Sequence, residues 1–274
     1  MSFLKSNPRF LNTVLLGGAF TKKLEAIAKA GFEGVEVWQQ DAEQAVSKTT
    51  QQLDALALAR TDYQVLLDFD GAVGEKRDEK RREALTMMAT ASELGSPMIL
   101  VAANTAECEK QKIVMDMQWL CQQANGFGLR VAYEAMSWST EINQCDKAWQ
   151  IIQQVDEENL GLVIDAFHLF ALGRTVQDLT NIPVEKIFLV QLSDIAMPLD
   201  SDAVKQIARH QRQLPGEGDF PLTALIAYLD KQGYSGPIGL EVFNDQAAEQ
   251  DCEWVAQRAK EALEHLLVES DSSA

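Results

Sequence analysis

What most constrains this chain is a rhythm: eight short apolar runs, separated by longer amphipathic stretches, follow one another from end to end. The runs are NTVLLG (12–17), GVEVW (34–38), YQVLLDF (63–69), MILVAA (98–103), LRVAYE (129–134), LGLVID (160–165), IFLVQLS (187–193) and PIGLEVF (237–243). They are rich in branched and aromatic residues and nearly continuously apolar, as strands of a parallel sheet covered on both faces must be. Helical patterning falls between them at 22–30, 47–60, 77–94, 107–126, 143–155, 174–181, 220–232 and 246–267. Several of these stretches end at a glycine, in KAGFEG, SELGS, GFG and KQGYSG, where a left-handed cap costs glycine nothing sterically. Eight βα units in 274 residues predict an α/β chain folded as a (β/α)8 TIM barrel, a fold of ~250 residues. An open doubly wound sheet would carry fewer strands and a glycine-rich phosphate turn, and no GxGxxG follows the first run. No linker divides the chain, so 1–274 is expected to be one domain with a polar tail, VESDSSA, frayed from 268. The segment 193–218 breaks the rhythm as a long polar loop carrying Arg209, His210 and Arg212.

The charge narrows the function. With 24 basic against 41 acidic side chains the net charge is −17, which repels phosphate backbones and anionic membranes alike. No apolar run reaches the ~18 residues of a spanning helix, and MSFLKSNPRFLNTV lacks the apolar core of a secretion signal. A cytoplasmic protein with no nucleic-acid and no membrane partner is expected. Cys108, Cys121, Cys145 and Cys252 show no CxxC spacing, so reduced thiols are expected and a zinc ribbon is not. Homo-oligomers are common among such barrels, but no stripe identifies an interface.

Barrel chemistry sits at the C-terminal ends of the strands. The fifth run ends in Glu134, the sixth in Asp165, the seventh reaches Gln191 and the eighth carries Glu241. One such carboxylate would be an ordinary salt bridge or helix cap. Three converging on one mouth repel strongly unless neutralised, and a divalent cation is the usual means. Glu134, Asp165, Gln191 and Glu241 form an all-oxygen set suited to a hard cation, Mg2+ or Mn2+ before Co2+ or Zn2+. His168, three residues past Asp165, reads as a general acid or base beside that ion, the alternative being a hydrogen-bonded core histidine. His210 and Arg212 either reach over the mouth to hold substrate or form a solvated basic patch. Glu36, in the second run, is read as a substrate-side residue that orients a histidine or arginine, with a salt-bridged role as the alternative. Trp38, Phe69, Trp138, Phe167 and Phe243 cluster at strand ends, as core or as pocket wall.

A hard cation flanked by carboxylates can grip an α-hydroxy-carbonyl group and ease removal of the adjacent proton; where the proton returns decides among isomerisation, epimerisation and dehydration. The set VAYEAMSW, LGLVIDAFHLF, FLVQLSD, PGEGDFPL and GPIGLEVFND, with KLEAIAKAGFEGVEVW, resembles the xylose isomerase-like barrel superfamily of sugar isomerases and epimerases over nearly the whole chain. The resemblance implies Glu134, Asp165, Gln191 and Glu241 as metal ligands, His168 as a catalytic or substrate-contacting residue, and Arg212 or His210 as substrate contacts. In an epimerase Glu134 and Glu241 would be the two bases. Gln191, YEAMSW and LEVFND look most like the bacterial 3-dehydroshikimate dehydratases, in which His168 would be the base. That pattern carries an arginine after the third strand and a GRH after the strand-five tryptophan, where this chain has Leu67 and WSTEIN. The expected substrate is therefore a small polyhydroxylated ketone, with a cyclic keto acid as the alternative. An endonuclease of the same superfamily needs a histidine-rich multinuclear zinc site, and three histidines are too few. A non-catalytic barrel would have lost the ligand carboxylates, which are present.

Overall fold

The computed structural model describes residues 3–42, 46–200 and 202–272. Eight parallel strands close a barrel in sequence order: β1 (Arg9–Asn12), β2 (Gly34–Trp38), β3 (Ala59–Leu66), β4 (Met98–Ala102), β5 (Arg130–Glu134), β6 (Leu160–Asp165), β7 (Ile187–Leu192) and β8 (Ile238–Leu240). β1 pairs with both β2 and β8, which removes the sheet edges. Around it run α1 (Phe20–Lys29), α2 (Gln39–Ala42), α3 (Val46–Ala55), α4 (Glu75–Leu94), α5 (Ile113–Gly126), α6 (Cys145–Val155), α7 (Ala166–Phe170), α8 (Val204–His210), α9 (Leu222–Gln232), α10 (Asp245–Ala248) and α11 (Cys252–Ser272). This is the expected (β/α)8 architecture. Strands β4, β6 and β7 are buried along their whole length, which accounts for their unbroken apolar runs. Gly95 and Gly233 cap α4 and α9 in the left-handed conformation, as the sequence predicts. All four cysteines are free.

Four expectations change. The first strand is Arg9–Asn12, not 12–17: the Asn12 side chain accepts from the Val14 backbone N–H and turns Thr13–Leu15 into a 3-10 helix. Both segments mix polar and apolar residues, RFLN against TVL, so hydropathy alone does not separate them. β3 starts at Ala59 rather than 63 because Thr61 and Asp62 are buried polar residues inside a strand. After β6 the chain forms α7 at once, and the helix expected at 174–181 is a 3-10 turn at Val176–Leu179. The polar segment 193–218 is not wholly loop but contains α8. In addition α11 continues to Ser272, so most of the tail expected to fray is helical, and 273–274 lie outside the described residues.

Register places the polar residues before any side-chain argument begins. Asn12, Glu36 and Asp62 stand side by side across β1, β2 and β3, and Asp165 stands beside Gln191 across β6 and β7. Neighbours in one register share a face of the pleat, so each group points one way. The seam between β1 and β8 is tight: a Cβ on Gly239 would lie 2.2 Å from the Phe10 carbonyl oxygen. Gly239→Ala is expected to cost about 1–3 kcal/mol of stability through overpacking. Gly126→Ala, with open space around its Cβ, is expected to be neutral or stabilising. Thermal denaturation of the two variants checks this; equal melting temperatures would contradict it.

Candidate active site

The four expected oxygen donors come together. Glu134 ends β5, Asp165 ends β6, Gln191 lies on β7 and Glu241 follows β8 directly; all four are buried. His168 joins them because Asp165 caps α7, accepting from the Phe167 backbone N–H through Oδ1 at 2.8 Å, and residue i+3 returns to the same face. One ligand atom each from Glu134, Asp165 and His168 lies within 4.8 Å of the others, with His168 Nε2 at 3.7 Å from Glu134 Oε1 and 3.6 Å from Asp165 Oδ2.

Arg212 is not the solvated residue the sequence allowed. It is buried, and its Nη1 donates to Asp165 Oδ2 at 2.8 Å, to Glu241 Oε2 at 3.2 Å and to the Glu241 carbonyl at 3.2 Å. Its Nε donates to the Ala208 carbonyl, and its plane sits over the Phe167 and Phe243 rings. A guanidinium so engaged serves first as counter-ion to the carboxylates. Three carboxylates and one guanidinium leave two formal negative charges, the complement of a divalent cation. Glu134 Oε1 and Gln191 Oε1 are buried without a hydrogen-bond partner among the described residues. Such oxygens are costly unless something electropositive meets them, so the residues present fit a hard dication.

The tautomer of His168 decides whether it belongs to the ligand set. Its Nδ1 accepts from the Ser137 backbone N–H at 3.2 Å and lies 3.0 Å from Ser137 Oγ. A backbone N–H can only donate, so the network assigns the proton of the neutral ring to Nε2. Burial first, with a contribution from Arg212, pulls the His168 pKa down to about 4. His168 is then a neutral donor aimed at Glu134 and Asp165, and of the acid and base roles expected for it this network leaves the donor. Ser137, which sets the tautomer, carried no sequence signal beyond its place three residues after Glu134.

Under these residues lies a second polar group that the sequence reading largely missed. Gln191 Nε2 donates to Glu36 Oε1 at 2.8 Å and to Glu241 Oε1 at 3.2 Å, and Gln64 Nε2 also donates to Glu241 Oε1 at 3.1 Å. Asn12 Nδ2 donates to Glu36 at 3.1 Å and to Glu241 at 3.2 Å. Glu36, expected to face substrate, is instead fully buried and absent from the cavity wall. The reason is register: it points into the barrel beside Asn12 and Asp62, where its partner is an amide and not a histidine or arginine. The spacing of Asp62 and Gln64, two residues apart inside a strand, was the available sign.

Above the cluster opens a cavity of about 420 Å³. One side is apolar, made by Trp38, Val65, Leu67, Met136, Trp138 and Phe243. Trp138 and Phe243 thus wall the pocket as one reading had it, with Trp138 at 5.0 Å from the His168 ring and Trp38 edge-on to Phe243 at 5.6 Å. Leu67 lines it too. His210 stands at the rim, half-exposed, with Nδ1 2.9 Å from Asp245 Oδ2, and exposed Arg209 stands beside it.

A family model described as xylose isomerase-like TIM barrel matches residues 24–267. Over 243 residues the chain is 36% identical to a 3-dehydroshikimate dehydratase of Pseudomonas aeruginosa, covering 86% of this chain. It spans only 38% of that relative's length. An inosose isomerase of Halalkalibacterium halodurans is 26% identical over 91% of this chain and 92% of its own. A crystal structure of an IOLI protein with a bound zinc atom superposes with a TM-score of 0.86 at 21% identity, covering 96% of this chain and 99% of that one, which speaks to the fold.

Burial is the first cause raising the Glu134, Glu241 and Asp62 carboxyls. It pushes Glu134 well up, with Glu241 and Asp165 adding repulsion; it pushes Glu241 to about 7 against the pull of Arg212, and Asp62 to about 8. In the metal-free protein these groups hold protons that the unfolded chain releases near pH ~4. Stability therefore falls as pH rises from there through the folded values of about 7 and about 8. A dication competes with those protons, so saturating Mn2+ is expected to raise the melting temperature more at about pH 8 than at about pH 5. Scanning calorimetry checks this, and an equal rise at both would contradict it.

Proposed function

The chain belongs to the xylose isomerase-like TIM-barrel family, and on that premise we propose that it is a divalent-metal-dependent enzyme that removes a proton α to the carbonyl of a small polyhydroxylated ketone. The observation that carries this reading is the buried oxygen set of Glu134, Asp165, Gln191 and Glu241 around Arg212, with two oxygens left without partners. Bound there, Mg2+ or Mn2+ would polarise the carbonyl and lower the cost of carbanion formation. The zinc of the IOLI structure makes Zn2+ a further candidate.

The chain's own residues supply the rest. Glu134 and Glu241 stand at the ends of strands three apart in a ring of eight, so their carboxylates reach a bound substrate from different sides. One takes the α-proton. Return of a proton by the other inverts the centre; return to the neighbouring carbon, with the α-hydroxyl proton passing to the former carbonyl oxygen, isomerises the ketone. His168 donates from Nε2 to the oxygen on which negative charge develops, a role that a neutral imidazole fills without losing its own proton. Trp38, Leu67, Trp138 and Phe243 exclude water and pack the apolar face of a ring.

A second reading, dehydration of 3-dehydroshikimate to protocatechuate, is favoured by the 36% identity to a dehydratase. It requires a partner for the substrate carboxylate. Arg212 is engaged with Asp165 and Glu241, and Leu67 is apolar, so that partner would be Arg209, an exposed cation on the cavity wall.

Both readings share the first step, which deuterium exchange reports. In D2O with Mn2+, the substrate α-proton is expected to exchange on incubation with the protein, using inososes, ketoses and 3-dehydroshikimate as probes. Glu134→Gln and Glu241→Gln are each expected to lower exchange at least ~100-fold, the contribution of one positioned proton-transfer group, with circular dichroism unchanged. Wild-type exchange in both would sink the assigned site. The readings separate at Arg209: if the keto acid is the substrate, Arg209→Leu raises its KM about 10-fold with kcat little changed, the loss of a charge-assisted contact. Unchanged KM removes the carboxylate role.

A further inference from the structure

The orphaned oxygen of Gln191 has a cause one layer deeper in the barrel. An amide can present either its oxygen or its nitrogen to a given side, and only one choice makes Gln191 useful to a cation. Its Nε2 is held at 2.8 Å from Glu36 Oε1, with Glu241 Oε1 at 3.2 Å and Gln64 Oε1 at 3.5 Å. Reversal would turn the amide oxygen onto these acceptors. Glu36 is fixed in turn. Asn12 Oδ1 accepts from the Val14 backbone N–H, so its Nδ2 must face Glu36 Oε2, which leaves Glu36 Oε1 for Gln191.

We infer that Glu36, backed by Asn12, is a positioning residue that locks the Gln191 amide with Oε1 toward the cation site. The inference rests on the metal-site reading above. Glu36 itself touches neither the cavity nor a reacting atom, since it is fully buried below them. Its role is to make a neutral side chain a one-sided ligand.

Mn2+ binding to the full chain, followed by calorimetry and by the electron paramagnetic resonance of free Mn2+, tests this without any substrate. Glu36→Leu removes the acceptor while keeping the volume apolar. It is expected to weaken Mn2+ binding 10–100-fold, the usual effect of losing a ligand-orienting partner, while the metal-free melting temperature is held or raised because a buried carboxyl is gone. Glu36→Gln offers one carbonyl oxygen to two facing donors, Gln191 Nε2 and Asn12 Nδ2, so it should hold the Gln191 amide only in part and weaken Mn2+ binding by about 3–10-fold, less than Glu36→Leu. Folded Glu36→Leu that binds Mn2+ as wild type does would overturn the inference. So would wild-type Mn2+ affinity in folded Glu36→Gln, and that variant decides alone if the leucine variant does not fold. Wild-type protein that binds no Mn2+, Mg2+ or Zn2+ would instead fail the metal-site reading, and this inference with it.

Discussion

Burying like charges together is the constraint on which the rest of this structure depends. Glu134, Asp165 and Glu241 are each nearly inaccessible at the mouth of the barrel, and their repulsion grows as water is excluded. Every nearby feature reads as an answer to that cost. Arg212 is drawn inward onto Asp165 and Glu241 and held by the Ala208 carbonyl and two aromatic rings. Three amides, from Asn12, Gln64 and Gln191, converge on one oxygen of Glu241. What these do not neutralise amounts to two charges, and that remainder gives the site its chemistry. A barrel suits the task because its strands deliver side chains to one point from several directions while the ring of helices keeps the backbone rigid.

The same electrostatics shape how a proton would move. His168 is neutral under ordinary conditions because it is buried, and Ser137 dictates which nitrogen carries its proton. On the proposed reading a carboxylate is therefore the proton acceptor in this pocket, and the neutral imidazole a hydrogen-bond donor that keeps its own proton. The division of labour follows from one backbone N–H and not from the identities of the residues.

Much of this was legible in the sequence. Strands covered on both faces must be apolar, so the polar residues at their ends, Glu134, Asp165, Gln191 and Glu241, stood out against hydrophobic surroundings. The barrel itself followed from the same alternation. Three things were hidden. The position of β1 depended on an Asn12 side chain capping a turn, an event that hydropathy does not register. The start of β3 was masked by Thr61 and Asp62, which look like loop residues although they are buried inside a strand. Glu36 read as a substrate contact because its place in a strand was visible and its inward register was not; the pairing of Asn12, Glu36 and Asp62 is a property of three strands together. His210 and Arg212, two residues apart in sequence, separated into a rim residue and a buried counter-ion according to where α8 ends.

The central claim is that four oxygens, and not the histidine, hold a divalent ion in this mouth. Anomalous diffraction at the manganese edge from crystals of the Mn2+-loaded protein tests it directly. The account predicts one strong anomalous peak within ~2–2.5 Å of carboxylate or amide oxygens of Glu134, Asp165, Gln191 and Glu241, with His168 Nε2 beyond coordination distance. A peak bonded to His168 Nε2, or no peak among these residues in protein shown to retain manganese, would contradict it.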